Sequence, residues 1–210
     1  MWWLKALQRS LSDVYNWLVP LFVINVLWFV LSLTVIGFPG ATAGLFEVAR
    51  QVEKGYSPAI SEYLQAVRRW LVRAWAWGAA LLATVGIAVV GVPFYAGQQG
   101  LLWTVLLFLS VAIVFVLVAA LFYFWPYMLI METPRVYYAF RNALYTVLAA
   151  PLYALLYVGL SIVLLVSFDG LSLLLLAVIA AVILAFLSTY SLRAWLVHKG
   201  LLPADSNPAE

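Results

Sequence analysis

Four long stretches of the sequence contain no Asp, Glu, Lys or Arg, and they run over residues 14–46, 74–131, 142–168 and 170–192. Charged residues make up 9% of the chain and hydrophobic residues 67%, whereas soluble proteins have about 25% and about 45–50%. A chain with so few polar residues cannot cover the surface of a soluble fold. Segments inside hydrocarbon must satisfy their backbone hydrogen bonds internally, which favours helices. The chain is therefore predicted to be an all-α integral membrane protein.

The lengths and breaks of these stretches predict a polytopic helical bundle with about five transmembrane helices. Residues 74–131 are too many for one crossing, and Gly91, Pro93, Gly97 and Gly100 interrupt them. The predicted transmembrane helices are 17–38, 72–94, 101–125, 148–167 and 171–192. The helix that begins at residue 101 should continue to residue 131, because its apolar run is unbroken. The whole chain is interpreted as one membrane domain, 1–210, with a polar tail at 200–210.

Short amphipathic helices are predicted before and between these spans. Residues 1–16 carry apolar side chains at helical spacing, so they should lie in the membrane interface or pack against the bundle. Residues 41–55 form a second amphipathic segment. A third begins at Ser57-Pro58 and a fourth at Thr133-Pro134, and each is expected to run into the next span. The likeness of these last two segments indicates either a weak internal repeat or chance.

The distribution of Lys and Arg predicts which ends of the helices face the cytoplasm. The turns at 95–100 and 168–170 contain neither residue, so they are expected outside. Most basic residues lie at the opposite ends of the spans, and they are Arg50, Lys54, Arg68, Arg69, Arg73, Arg135, Arg141, Arg193 and Lys199. Five crossings would place Lys5, Arg9 and the N-terminus outside. A re-entrant hairpin over 17–44 would place the N-terminus inside, and this alternative stays open.

The sequence shows no combination of residues that is typical of catalysis. It has no cysteine, and its only histidine, His198, follows the last span, so no metal site, cofactor or enzyme activity is predicted. No ionisable residue lies near the centre of a span, which argues against a proton-driven transporter. Anionic lipid headgroups explain the net charge of +3 without a nucleic-acid partner.

The segment from Gly37 to Gly44 is predicted to be the most constrained element. Glycine and proline leave backbone groups unpaired near a membrane boundary, and those groups must be buried or line a cavity. The predicted structural turn consists of Gly37, Pro39, Gly40 and Gly44. The candidate ligand or cavity residues near it are Asn25, Thr42, Glu47 and Arg50. Asn25 has a simpler interpretation as an interhelical hydrogen bond, and Glu47 and Arg50 as an i,i+3 ion pair.

Part of the chain also carries the motif of a known family. The residues are Asn25-Val26-Leu27-Trp28, Ser32-Leu33, Thr34, Gly37, Pro39, Ala41-Thr42-Ala43-Gly44-Leu45, Val48, Arg50 and Gly55, followed by Arg68-Arg69-Trp70. They resemble the YesL-like (DUF624) family of bacterial membrane proteins over about residues 20–75, from which this sequence departs by Gly40 between Pro39 and Ala41. The resemblance implies a multi-pass protein of the bacterial plasma membrane. Members are often encoded near carbohydrate uptake systems and have no established activity, so the resemblance implies no catalytic residues.

The expected function is a non-enzymatic membrane component that assists solute uptake, in particular of carbohydrates. Its expected partners are the lipid bilayer and either transporter subunits or further copies of this chain, and not nucleic acid. A small helical-bundle channel or facilitator, oligomeric in form, is the alternative, because hydroxyl groups lie within several spans. An intramembrane enzyme is the third function and has the least support.

Overall fold

The computed structural model describes residues 2–166 and 173–203, and every regular element in them is helical. The helices are α1 Trp2–Asn16, α2 Leu18–Ser32, α3 Phe38–Glu53, α4 Ile60–Gly86, α5 Val92–Ala96, α6 Leu101–Ile130, α7 Val136–Ala149, α8 Pro151–Val166 and α9 Leu173–His198. A π-helical segment, Ile87–Gly91, joins α4 to α5 without a break. The predicted all-α fold is confirmed.

Three helices of the described chain are long and apolar enough to cross a membrane, and two bent helix pairs raise the number to as many as five. The three are Ile60–Ala96, Leu101–Ile130 and Ala181–His198. The bent pairs are α1 with α2, at 86°, and α7 with α8, at 103°. The predicted five spans are the upper end of this range. The helix expected from residue 101 onward is present, and at about 1.5 Å per residue it exceeds the roughly 30 Å of hydrocarbon in a bilayer.

The first predicted span and the predicted turn after it differ from the structure. α2 ends at Ser32, the chain turns over residues 33–37, and α3 begins at Phe38. Pro39 lies in the first turn of α3, where a helix does not need its missing N–H. Gly40 and Gly44 lie inside α3. The prediction of a Gly37–Gly44 turn is therefore wrong, because the glycines after residue 38 serve helix packing instead.

α2 and α3 form an antiparallel hairpin. The start of α2 and the end of α3 lie near the same end of α9. Trp28 of α2 donates a hydrogen bond to Thr42 of α3 near the turn. At the open end, Asp13 before α2 accepts a hydrogen bond from Tyr190, and Glu53 at the end of α3 pairs with Arg193. Tyr190 and Arg193 lie within one turn of α9. These contacts correspond to the re-entrant alternative rather than to a helix that crosses over 17–38.

The predicted amphipathic segment 41–55 is the centre of the fold rather than a surface element. Every residue of α3 from Pro39 to Ala49 is buried, and the helix packs against α4, α9, α2 and α6. Its many small residues let neighbouring helices approach, so that both faces are covered. The aromatic part of the same core comes from α4 and α6, where Trp70, Trp77 and Trp125 lie with ring centroids 6.0–6.5 Å apart.

α1 matches part of each alternative that the sequence left open. It packs against α9, with Ala6 and Ser10 buried. Leu4, Leu11 and Tyr15 remain exposed. Small side chains therefore face the bundle, and the larger apolar side chains are free to contact lipid.

The two segments of the proposed weak repeat differ in shape. The segment after Ser57-Pro58 does run straight into a span, as α4. The segment after Thr133-Pro134 ends at Ala149, and the chain bends by 103° before α8, so the segment does not run straight into the predicted span 148–167, to which α8 corresponds. Pro151 is the physical reason, since a proline disfavours helical backbone at the preceding residue. The expected turn at 168–170 lies outside the described residues.

Candidate functional site

Glycines let α3 and α4 approach so closely that an added Cβ atom would force a neighbouring side chain to shift. A Cβ atom built on Gly40 would lie 2.7 Å from Leu71, and one built on Gly44 would lie 2.7 Å from Tyr63. The reverse contact occurs beside Gly40 in the first turn of α3, where a Cβ atom on Gly78 would lie 2.9 Å from Pro39. The small residues of the family motif therefore determine a helix–helix interface.

Thr42 has a structural role in this interface. Its hydroxyl donates a hydrogen bond to the carbonyl of Phe38, at 2.9 Å, and accepts one from Trp28 Nε1, at 3.1 Å. Asn25 is also buried, on α2, but its Oδ1 has no hydrogen-bond partner among the described residues. Thr42 therefore stabilises the hairpin and Asn25 occupies its interior, and the two residues do not line a common cavity.

Glu47 and Arg50 form the expected i,i+3 pair. Arg50 lies 3.9 Å from Glu47, and Glu47 also accepts a hydrogen bond of 3.3 Å from Trp70 Nε1. The Glu47 side chain is 10% exposed and the Arg50 side chain 27%. The carboxylate therefore belongs to the interior, while the guanidinium reaches the edge of the core.

A cleft of about 160 Å³ opens beside Arg50, between the C-terminal ends of α3, α6 and α9. We call it the basic cleft. Its lining residues are Arg50, Glu53, Lys54, Pro126, Leu129, Ile130, Thr189, Arg193, Leu202 and Pro203. Arg50 is the one predicted candidate among them, and Asn25, Thr42 and Glu47 do not line it. Glu53, Lys54 and Arg193 were not predicted as site residues. Lys54 and Arg193 indicated membrane orientation, and Glu53 was only part of the amphipathic segment 41–55.

The charges around the basic cleft do not cancel. Glu53 is almost fully buried and is neutralised by a direct ion pair with Arg193. Glu47 already contacts Arg50. Lys54 forms no ion pair within 4.0 Å in the described part of the chain. Partial burial lowers the pKa of Lys54, and the nearby Arg50 lowers it further, against the opposing effect of the two carboxylates. The cleft therefore has an excess of positive charge, which attracts anions.

A second cavity, of about 200 Å³, lies at the turn of the α2–α3 hairpin. It is lined by Ser32, Val35, Phe38, Pro39, Trp75, Gly78, Leu81 and Leu82. Ser32 supplies its main polar group, a hydroxyl without a partner among the described residues. Within residues 2–166 and 173–203, no group of three His, Cys, Asp or Glu side chains is placed to hold a metal ion.

The fold and these cavities define a helical membrane protein with a close-packed hairpin and a basic cleft at one end of its helices. Residues 21–92 match the family model DUF624, described as a protein of unknown function. This match covers about one third of the chain and confirms the predicted resemblance to the DUF624 family over that segment. The matched segment includes α2, α3 and α4 but not α9. No curated protein and no solved structure matches the chain.

Proposed function

We propose that this chain is a non-enzymatic component of the bacterial plasma membrane that assists solute uptake through protein partners. The observation that carries the proposal is the arrangement of hydroxyl groups in the described spans. Thr84, Ser110 and Thr189 each donate a hydrogen bond to a carbonyl of their own helix, at 2.8 Å. Each of these donors is used within its own helix, which favours a role beside a transporter over a role as a conduit.

The partner-facing surface in this proposal is the apolar hairpin, by which we mean residues 79–118. Large apolar side chains are exposed along both of its helices, and examples are Leu82, Val90, Leu101 and Phe108. Such a surface suits lipid or the helices of another membrane protein. Transporter subunits and further copies of this chain are the partners proposed, and carbohydrates are the proposed solutes because of the family resemblance.

Site-specific photo-crosslinking in cells tests the proposed contact. A photoreactive residue at Phe108, which is 70% exposed in the apolar hairpin, should give adducts of defined protein mass. Tyr137, which is 69% exposed on α7, provides the matched control position. Adducts with lipid alone at Phe108, or the same adducts from both positions, would contradict a partner on the hairpin.

A flux measurement separates this proposal from the channel alternative. Proteoliposomes that contain only this chain should be no more permeable to labelled sugars or ions than empty liposomes. Cells without the protein should take up the relevant carbohydrate more slowly. Flux through the chain alone would establish the channel instead.

A further inference from the structure

We propose that the basic cleft is a binding site for a phosphate group, presented by an anionic phospholipid headgroup or by a soluble phosphate compound. The inference is independent of the role in uptake, because it rests on the cleft alone. Three observations carry it: the cations that converge there, the engagement of the nearby carboxylates, and the apolar walls beside a membrane-spanning helix.

Arg50, Lys54 and Arg193 line the same cleft although they come from the ends of two helices far apart in sequence. Arginine and lysine are the side chains that bind phosphate oxygens with short, charge-assisted hydrogen bonds. Because Glu53 is held by Arg193, it does not compete for Lys54. Arg50 has only the long 3.9 Å contact with Glu47, so part of its donor capacity is also available.

The shape of the cleft suits a small anionic group. Its volume of about 160 Å³ is below the roughly 300–1,000 Å³ of pockets for drug-sized molecules. Leu129, Ile130 and Leu202 form an apolar wall next to the cations. Leu129 and Ile130 end α6, a candidate membrane span. Basic pockets between transmembrane helices near a membrane surface are typical sites for anionic headgroups.

Lys54 is the residue on which the proposal is best tested. It is exposed, it lies at the end of α3, and it has no ion-pair partner among the described residues, so its loss leaves no buried carboxylate uncompensated. Arg193 is less suitable, because its removal would leave Glu53 without a counter-ion and would destabilise the fold for that reason alone. Lys54→Gln is therefore the test variant. Lys199→Gln is the matched control, because Lys199 is exposed, basic and absent from the cleft lining.

The experiment is a titration of the purified chain in neutral detergent, read by native mass spectrometry and by thermal stabilisation. The probes are dioleoylphosphatidylglycerol, dioleoylphosphatidylcholine as the zwitterionic control, and inorganic phosphate. Phosphatidylglycerol should bind at one saturable site and phosphatidylcholine should not. Lys54→Gln should raise the half-saturating concentration about tenfold, the loss expected for one charge-assisted hydrogen bond, and Lys199→Gln should leave it unchanged.

Each outcome decides the proposal. Saturable binding of the lipid that Lys54→Gln weakens, without binding of inorganic phosphate, assigns the site to a headgroup, and lipid binding that Lys54→Gln leaves unchanged overturns the proposal. Saturable binding of inorganic phosphate that Lys54→Gln weakens assigns it to a soluble phosphate compound. The proposal is overturned if no probe binds saturably, if phosphatidylcholine binds equally well, or if Lys199→Gln weakens binding as much as Lys54→Gln does.

Discussion

The two ends of the long helices α4 and α6 are packed by different means. At the basic end, which we define as residues 60–78 and 119–130 together with α3, tryptophans and carboxylates are buried, and α3 and α6 pack against α9. In the apolar hairpin, residues 79–118, Val and Leu side chains lie mostly exposed. The charge-free stretch 74–131 runs through both regions. The difference shows that hydropathy identifies what enters a membrane but not what packs within it.

The physical reason is that lipid tails are as apolar as leucine, so burial against another helix has no hydrophobic advantage there. Close packing instead needs small residues, aromatic shape and hydrogen bonds. The basic end has all three, since Gly44 contacts Tyr63 and Trp77 donates a hydrogen bond of 3.1 Å to the carbonyl of Leu121. The apolar hairpin has few such contacts beyond those between its own helices.

The largest expected effect is all-or-none and concerns which side of the membrane each region faces. Single cysteines replacing Lys5, Gln98 and Lys199 can be labelled separately, because the chain has no cysteine of its own. We expect Lys5→Cys and Lys199→Cys to react from one side and Gln98→Cys from the other. The reason is that the α2–α3 hairpin returns to the side of the membrane on which it starts. Reaction of Lys5→Cys and Gln98→Cys from the same side would instead show that residues 17–38 cross the membrane.

A second prediction concerns the buried ion pair of the basic end. Arg193→Gln leaves the Glu53 carboxylate uncompensated at 8% side-chain exposure, which should lower the free energy of unfolding by about 3–5 kcal/mol. The double variant Glu53→Gln/Arg193→Gln should recover most of this loss. Thermal unfolding in detergent measures both. Equal losses in the single and the double variant would show that the charge is not the cause.

A third prediction compares two glycines, one in each region. Gly44→Leu should destabilise the chain by about 3 kcal/mol, since its added atoms meet Tyr63 and Val67 within 3 Å, a case of overpacking. Gly86→Leu in the apolar hairpin should change the midpoint of thermal unfolding only slightly, because nothing lies within 4 Å of its Cβ position. Comparable shifts for both variants would remove the distinction between the two regions.

The smallest expected effect is at Lys54. Lys54→Ala should be tolerated at neutral pH, since the side chain is exposed at the rim of the cleft. Burial lowers the pKa of this lysine in the folded chain below its usual 10.5, so the unfolded chain holds the proton more firmly. The parent should therefore gain stability relative to Lys54→Ala as pH rises through the folded pKa toward 10.5. The charged groups around Lys54 are the same in both proteins, so the comparison isolates the lysine; they are Arg50, Glu53, Glu47 and Arg193. A difference that does not change with pH would contradict the desolvation.

Local patterns in the sequence predicted the single long helix α6 and the helical start after Ser57-Pro58. The unbroken apolar run is enough for α6. The predicted start at Ser57-Pro58 is two residues early, because α4 begins at Ile60 with Ala59 as its N-cap. Of the predicted Gly37–Gly44 turn, only Gly37 lies in a turn. Glycine serves both turns and close helix contacts, and only the neighbouring helix decides between the two. Residues 41–55 have an amphipathic pattern. In the structure, however, Glu47 and Glu53 form ion pairs, and Arg50 and Lys54 line the basic cleft.

The candidate site was predictable only in part, for a reason of distance along the chain. Glu47 and Arg50 lie one helical turn apart, so spacing predicted their contact. Glu53 and Arg193 are joined by the fold across 140 residues, and no local pattern indicates that they meet. The basic cleft depends on this second contact, and for that reason the sequence predicted one of its charged residues and not the cleft.

The turn between α5 and α6 also bears on how the chain enters the membrane. It consists of Gly97, Gln98, Gln99 and Gly100, and Gly100 has a φ of 112°, which favours glycine. In the labelling pattern expected above, this turn is the part of the apolar hairpin that must be carried across the bilayer during synthesis. Each Lys or Arg within a membrane helix raises the free energy of insertion by about 2.5–3.5 kcal/mol, and the turn has none. The amides of Gln98 and Gln99 are the polar side chains of the turn. Because the turn carries no charge, α4 and α6 can insert together as one helical pair.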